Sequence, residues 1–339
     1  MSRKVFDYVG MSKIEVRGPE DLLERIAENI ERETYNYQNP DCIININQSE
    51  NPVRIEKDKR FPYLTIERFG TAEQPSIKYT RYNTPVRTIY KKSSDSYEVD
   101  SHVVMDESAS LICIRNHINN HPVLSQYPLL HASLLNLNGQ GILIPGNSRQ
   151  GKTTLTVYLL QEYGASFVSD ENVFLDIRKK NVRGLYVPRN PRVRFSTIAE
   201  SGLSRALEDI ELANATQYID QDAIERIIAT HSFDVEAGLA FSRKAFCNLL
   251  GTSSQESSLV NLVLFPTYKE NGNLSFKKLG LGEGMHRLSK TGLMTKSDID
   301  PKELQETEVK IETSKFEGIK FAEVTFSGIG NLRQRGFRL

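Results

Sequence analysis

The chain has no excess of charge of either sign: its 339 residues carry 43 Lys and Arg against 43 Asp and Glu. No general pull toward nucleic acid or an anionic membrane surface follows, and only a local basic site stays open. Cysteine is scarce. Cys42, Cys113 and Cys247 are odd in number and far apart, which suits neither a disulfide framework nor the close-spaced ligand pairs of a zinc site. A reducing, cytoplasmic setting is expected. Long apolar runs are missing too: "LLHASLL" and "SLVNLVLF" are far too short to span a bilayer, and the opening "MSRKVFDYVGMSK" has no apolar signal-peptide core. The expectation is a soluble protein with no nucleic-acid and no membrane partner. Internal repeats and Pro/Gly/Ser-dominated blocks are absent, so the 39% apolar residues can bury one large core or two modest ones. Two domains at most are expected.

The pattern shifts along the chain. A strand is expected near "KIEVR", followed from Pro19 to Arg32 by an amphipathic helix carrying Leu22, Leu23, Ile26 and Ile30 at helical spacing. From Cys42 to about Met105 come short runs such as "CIININ", "YLTIERF", "PVRTIY" and "SYEVDSHVVM", separated by Asn, Pro, Ser and Asp. A candidate junction lies between Asp106 and Pro128, where a helix in "SASLICIRNHI" is followed by two prolines. These features predict a smaller strand-rich α+β domain over residues 1–125 and an α/β domain over 126–339.

The second part opens with "HASLLNLNGQGILIPG". Asn138-Gly139 between two apolar runs is a strong signal for a two-residue hairpin, because both turn positions need positive φ. The register follows: Leu137 faces Gln140, Leu135 faces Ile142, Ser133 faces Ile144, and His131 lies opposite Gly146. A helix is expected over 152–163, with Leu155, Tyr158 and Leu159 on one face and Gly164 at its end. "ASFVSDE" then reads as a strand ending in Asp170-Glu171, returned parallel to the strand before the helix by a right-handed crossover. Further strands are expected at "VFLDIRKK", "GLYVP", "LVNLVLFP" and 308–326, and helices near 200–213 and 221–230. "GLGEGMHR", around His286, reads as a flexible loop.

Residues Gly146-Asn147-Ser148-Arg149-Gln150-Gly151-Lys152-Thr153 match G-x-x-x-x-G-K-[ST] at every fixed position. Chance alone would produce that pattern in about one chain in a hundred. Its glycines let backbone N–H groups curl around phosphate oxygens at a helix N-terminus; Lys152 reaches the β/γ-phosphates, and the Thr153 hydroxyl is a Mg²⁺ ligand. The candidate nucleotide contacts are thus Gly146, Asn147, Ser148, Arg149, Gln150, Gly151, Lys152, Thr153 and Thr154. Neither an N-K-x-D guanine motif nor an LSGGQ-like signature accompanies the loop. Instead, the acidic pair Asp170-Glu171 follows after a single short helix, where most P-loop proteins place their metal-binding aspartate much later. The arginines of "PRNPRVR", residues 188 to 194, could clamp a phosphate or simply form a surface turn.

The stretch "HASLLNLNGQGILIPGNSRQGKTTL" followed by "YGASFVSDENV" resembles the catalytic domain of HPr kinase/phosphorylase and its relatives. These include lasso-peptide precursor kinases and, more distantly, ATP-dependent phosphoenolpyruvate carboxykinase. The resemblance covers residues 129 to 177 and rests on a His-small-x strand, a hairpin, the P-loop, one helix and a strand ending in two acids. It implies a P-loop kinase fold, ATP and Mg²⁺ as cofactors, and Lys152 and Thr153 as nucleotide and metal contacts. It also implies Asp170 and Glu171 as the base and metal pair and His131 as an active-site residue. The family usually ends that strand with Asp-Asp, so the role of each acid here stays open, with Asp170 the first choice for base. The long downstream arginine signature of HPr kinases is missing, which takes away support for HPr itself as the acceptor. Three readings remain: a kinase for a Ser of a protein or peptide, a kinase for a small hydroxylated metabolite, and a non-catalytic nucleotide-binding regulator. Homo-oligomerisation is left open.

Overall fold

The computed structural model describes residues 2–30, 33–34, 40–48, 65–70, 75–81, 84–93, 96–101, 107–121, 123–147, 149–203, 238–291 and 311–334. Two compact units emerge, one over Met1–Ser125 and one over Gln126–Met294 with Glu308–Leu339. The fold is mixed α/β.

In the first unit β1 (Ser2–Tyr8), β2 (Ser12–Gly18), α1 (Glu20–Ala27), β3 (Glu33–Thr34), β4 (Cys42–Gln48), β5 (Thr65–Gly70), β6 (Pro75–Arg81), β7 (Thr84–Ser93), β8 (Ser96–Ser101) and α2 (Glu107–Asn120) succeed one another. The strands form one sheet in the order β3-β1-β2-β4-β8-β7-β6-β5. β2, β4 and β8 run parallel, while β8, β7, β6 and β5 form an antiparallel meander. Leu22, Leu23 and Ile26 of α1 are buried, as their spacing predicts, but the helix ends at Ala27, short of Arg32. Leu111, Ile114 and Ile118 of α2 are buried together with Ile14, Val16, Ile44 and Val99 of the sheet, and removal of this apolar area from water is the main stabilising term of the unit.

The second unit contains β9 (Leu129–Leu130), β10 (Ala132–Leu137), β11 (Gln140–Pro145), α3 (Lys152–Tyr163), β12 (Ser166–Ser169), β13 (Val173–Asp176), β14 (Arg183–Tyr186), β15 (Arg192–Arg194), α4 (Phe195–Ser201), β16 (Gly238–Ala240), α5 (Arg243–Leu250), β17 (Ser257–Tyr268), β18 (Ser275–Leu279), α6 (Leu281–Thr291), β19 (Lys320–Phe326) and α7 (Ile329–Gln334). Its main sheet runs β12-β10-β11-β17-β14-β13-β9, and β19 pairs with both β17 and β18. The hairpin has the expected register, from Leu137 against Gln140 to Ser133 against Ile144. Asn138 and Gly139 adopt φ 51° and 84°, and the Gly146 amide donates to the His131 carbonyl at 3.3 Å.

The direction in which the strand after the helix returns also matches its expectation. β11 and β12 are each antiparallel to the intervening β10, so they are parallel to each other, and β17 and β19 share their direction. The C-terminal ends of β11, β12, β17 and β19 therefore meet at one edge of the sheet, the edge at which such folds hold ligands. α3 spans the expected residues but is buried on more than one face: Thr156, Val157 and Leu160 are enclosed as well as Leu155, Tyr158 and Leu159. It packs against α4, α5 and α7 as well as the sheet.

One expectation is corrected. "GLGEGMHR" is not a loop, because α6 spans Leu281–Thr291 and buries Met285 and Leu288. Gly284 marks close packing: a Cβ there would come within 2.3 Å of Phe321 Cδ1 on β19. Residues 204–237, which carry most of the helices expected near 200–213 and 221–230, lie outside the described residues, as do 308–310 at the start of the strand expected over 308–326. The strand there is the shorter Lys320–Phe326.

Candidate functional site

The loop between β11 and α3 is shaped by its own residues and by the two strands beyond it. Gly151 has φ 90°, a left-handed conformation that favours glycine. A Cβ there would also lie 2.6 Å from Phe326 Cζ and 3.3 Å from Tyr268 Cβ. The second fixed glycine of the motif is thus demanded twice, once by backbone conformation and once by aromatic side chains from β17 and β19. Gln150 ties the loop together: its Oε1 accepts from the Asn147 amide at 2.7 Å, and its carbonyl accepts from the Tyr268 amide at 3.1 Å. Arg149 is exposed at φ 69°. Ser148 lies outside the described residues.

Lys152 opens α3, and its side chain is only 5% exposed. Its Nζ donates to Glu171 Oε1 at 3.2 Å and to Asp170 Oδ1 at 3.4 Å. The loop lysine is thereby shared between both carboxylates that the sequence places one helix away. Thr153 follows it, half-buried, and the Thr154 hydroxyl is hydrogen-bonded to that of Thr197 on α4 at 3.0 Å.

The two acids differ sharply in setting. Asp170 directly follows β12 and has a side chain 1% exposed; the Ser133 hydroxyl donates to its Oδ1, while its Oδ2 is buried with no hydrogen-bond partner. An ionised oxygen in that state is costly unless a ligand satisfies it. Glu171 is more open, 27% exposed at the side chain. It sits at φ 66°, in a tight turn closed by the Asn172 amide to the Asp170 carbonyl at 2.8 Å. A left-handed backbone at a non-glycine residue is strained and must be held by its surroundings. That turn swings the Glu171 carboxylate toward His131, whose Nε2 donates to Oε2 at 3.1 Å. Burial alone would raise the Glu171 pKa; the hydrogen bond from His131 and the charges of Lys152 and Arg189 outweigh it and hold the carboxyl well below the usual range.

Four of the residues singled out in the sequence, His131, Lys152, Asp170 and Glu171, therefore form one connected cluster. Sequence reasoning missed Ser133, although it lies two residues after His131 in the expected strand, a spacing that puts both on one face. It also left the role of Arg189 undecided. Arg189 Nη1 donates to Asn172 Oδ1 at 2.6 Å, bracing the turn that carries Glu171, and its charge acts on that carboxylate.

Among the described residues, no group of three or more His, Cys, Asp and Glu is arranged to hold a metal ion. Mg²⁺ does not need one, since it commonly takes one or two carboxylates and completes its shell with phosphate oxygens and water. Glu171, whose carboxyl is held well below its usual range, fits that demand. No helix among the described residues is long and apolar enough to cross a membrane.

No family model matches the chain, and no curated protein does. Among solved structures, the HPr(Ser) kinase/phosphatase from Coxiella burnetii matches with 14% identity over 61% of this chain and 95% of that chain, at a TM-score of 0.26. A likeness that slight decides nothing about chemistry, and the functional reading rests on the cluster itself.

Proposed function

We propose that this chain is an ATP- and Mg²⁺-dependent kinase that transfers the γ-phosphate to a hydroxyl, with Ser of a protein or peptide as the acceptor. The observation that carries this reading is the placement of Lys152 between Asp170 and Glu171 where the glycine loop passes into α3. A structural ion pair has no need of a glycine loop, a lysine and two differently held carboxylates at one strand edge. Phosphoryl transfer needs all of them, because its loose transition state calls for charge neutralisation and alignment.

In this reading the loop amides and Lys152 hold the β/γ-phosphates. Thr153 and Glu171 would hold Mg²⁺, which supplies charge neutralisation to the phosphate oxygens when bound. Glu171, whose negative charge is held by His131, Lys152 and Arg189, is a poor proton acceptor and a good charge partner. The base is then Asp170: as the acceptor oxygen bonds to phosphorus and ADP leaves, the hydroxyl proton passes to Oδ2, which has no other partner. Assistance of this kind is worth about 10²–10⁴-fold. Ser133 holds Asp170 through its other oxygen, and His131 orients Glu171.

The test is incubation with Mg²⁺, γ-labelled ATP and candidate Ser-containing peptides or host lysate, in parallel with Lys152→Ala and Asp170→Asn. Transfer should fall to background in the first variant and by at least about a hundredfold in the second. Label transfer unchanged by both substitutions would sink the mechanism.

A further inference from the structure

The phosphate loop has two flanks, and only one is chemically spoken for. On the β10–β12 side stand Lys152 and the carboxylates. On the β17–β19 side stands Tyr268, a residue 42% exposed and one of two large hydrophobic residues that stand out from the surface among the described residues. Solvent exposure of an aromatic ring beside a ligand loop calls for an explanation.

The ring is held firmly. It meets Phe326 edge to face, with centroids 6.1 Å apart and planes at 86°, and Phe326 itself is fully buried. The Tyr268 amide donates to the Gln150 carbonyl, which ties the strand end to the loop. Its neighbours are acidic: after burial, the charges of Glu200 and Glu270 are what push the Tyr268 hydroxyl upward. Phosphate is disfavoured beside two carboxylates, so the end of a nucleotide that settles here is its uncharged end.

Resting on the nucleotide reading above, we infer that Tyr268 is the stacking platform for the nucleobase. Lys152 draws the terminal phosphates toward Asp170 and Glu171, and the opposite flank of the loop, formed by Tyr268 over Phe326, takes the base. α4 borders the same flank, with Thr197 bound to Thr154 and Glu200 bound through Oε2 to the Ile329 amide at 2.8 Å. Stacking on an aromatic side chain tolerates any base but favours the larger π-face of a purine.

Calorimetric titration of the full chain with MgATP, MgCTP and inorganic triphosphate tests this. Tyr268→Ala should weaken ATP binding about tenfold, leave inorganic triphosphate unchanged and erase the preference of ATP over CTP. Tyr268→Phe should retain all three properties. Lys152→Ala should weaken ATP and triphosphate alike. The platform is overturned if Tyr268→Ala binds ATP as wild type does, or if it loses triphosphate in parallel with ATP, which would mark a loop-packing role. In both cases the phosphate site survives. Failure of wild type to bind either ligand would overturn the platform and the nucleotide reading together.

Discussion

Lys152 Nζ lies 3.2 Å from Glu171 Oε1 while staying within 3.4 Å of Asp170 Oδ1, so one buried amino group is shared between two carboxylates of unequal exposure. Most of what the site is expected to do follows from that sharing.

Removing Lys152 should cost stability as well as phosphate affinity. Asp170 is enclosed and would lose its cationic partner, a loss worth about 3–5 kcal/mol for a buried pair. Chemical denaturation of Lys152→Ala should show that loss, and the double variant Lys152→Ala with Asp170→Asn should recover part of it. Millimolar Mg²⁺ should raise the unfolding midpoint of Lys152→Ala more than that of the double variant, because only the former offers two free carboxylates to the ion.

Glu171 predicts an acid-side signature. Its folded pKa lies below its ordinary value of 4.5, so its stabilising contribution is fully present above about pH 4.5 and is lost as the pH falls through the lower folded value. Denaturation midpoints between pH 7 and 2 should fall below pH 4.5, and Glu171→Gln should show a shallower fall together with lower stability at neutral pH. An unchanged slope would remove Glu171 from the charge network.

Ser133→Ala should leave Asp170 Oδ1 with Lys152 alone. Stability should drop by about 1–3 kcal/mol, the penalty for leaving a buried acceptor short of a donor. Because Ser133 acts through Asp170, kcat should fall while KM for ATP stays near the wild-type value. Steady-state kinetics separate these, and a rise in KM alone would count against the positioning role.

Gly151→Ala should damage the loop in two separable ways. The φ of 90° is strained for any Cβ, and that Cβ would press on the Phe326 ring, together costing about 1–3 kcal/mol. Phe326→Leu relieves only the second cause. The two substitutions combined should therefore cost less than the sum of their separate effects, and thermal unfolding of the four forms measures the coupling.

Arg189→Gln should raise the Glu171 pKa toward its ordinary value, since one of the charges holding it down is gone. Carboxyl-carbon NMR titration against wild type reads this directly. No movement would confine Arg189 to bracing Asn172.

Legibility in the sequence followed the range of the interactions concerned. Asn138-Gly139, the glycines of the loop and the period of α3 are set by backbone preferences acting over a few residues, so hairpin register and helix bounds could be written down in advance. "GLGEGMHR" failed for the same reason in reverse. Glycine read locally means freedom, whereas Gly284 is small because β19 brings Phe321 against it.

By itself the sequence determined the local parts of the site: a glycine-bounded loop, a lysine and threonine at a helix start, a histidine opposite the first glycine, and two acids one helix further on. Chain connectivity and turn geometry suffice for those. Tertiary structure decided which acid is enclosed and which is open, that Ser133 grips the enclosed one, and that Glu171 bends in a strained turn toward His131. It also decided that Tyr268 and Phe326, distant in sequence, close over Gly151, because the strand order β11-β17-β19 arises from packing among residues that no local pattern connects.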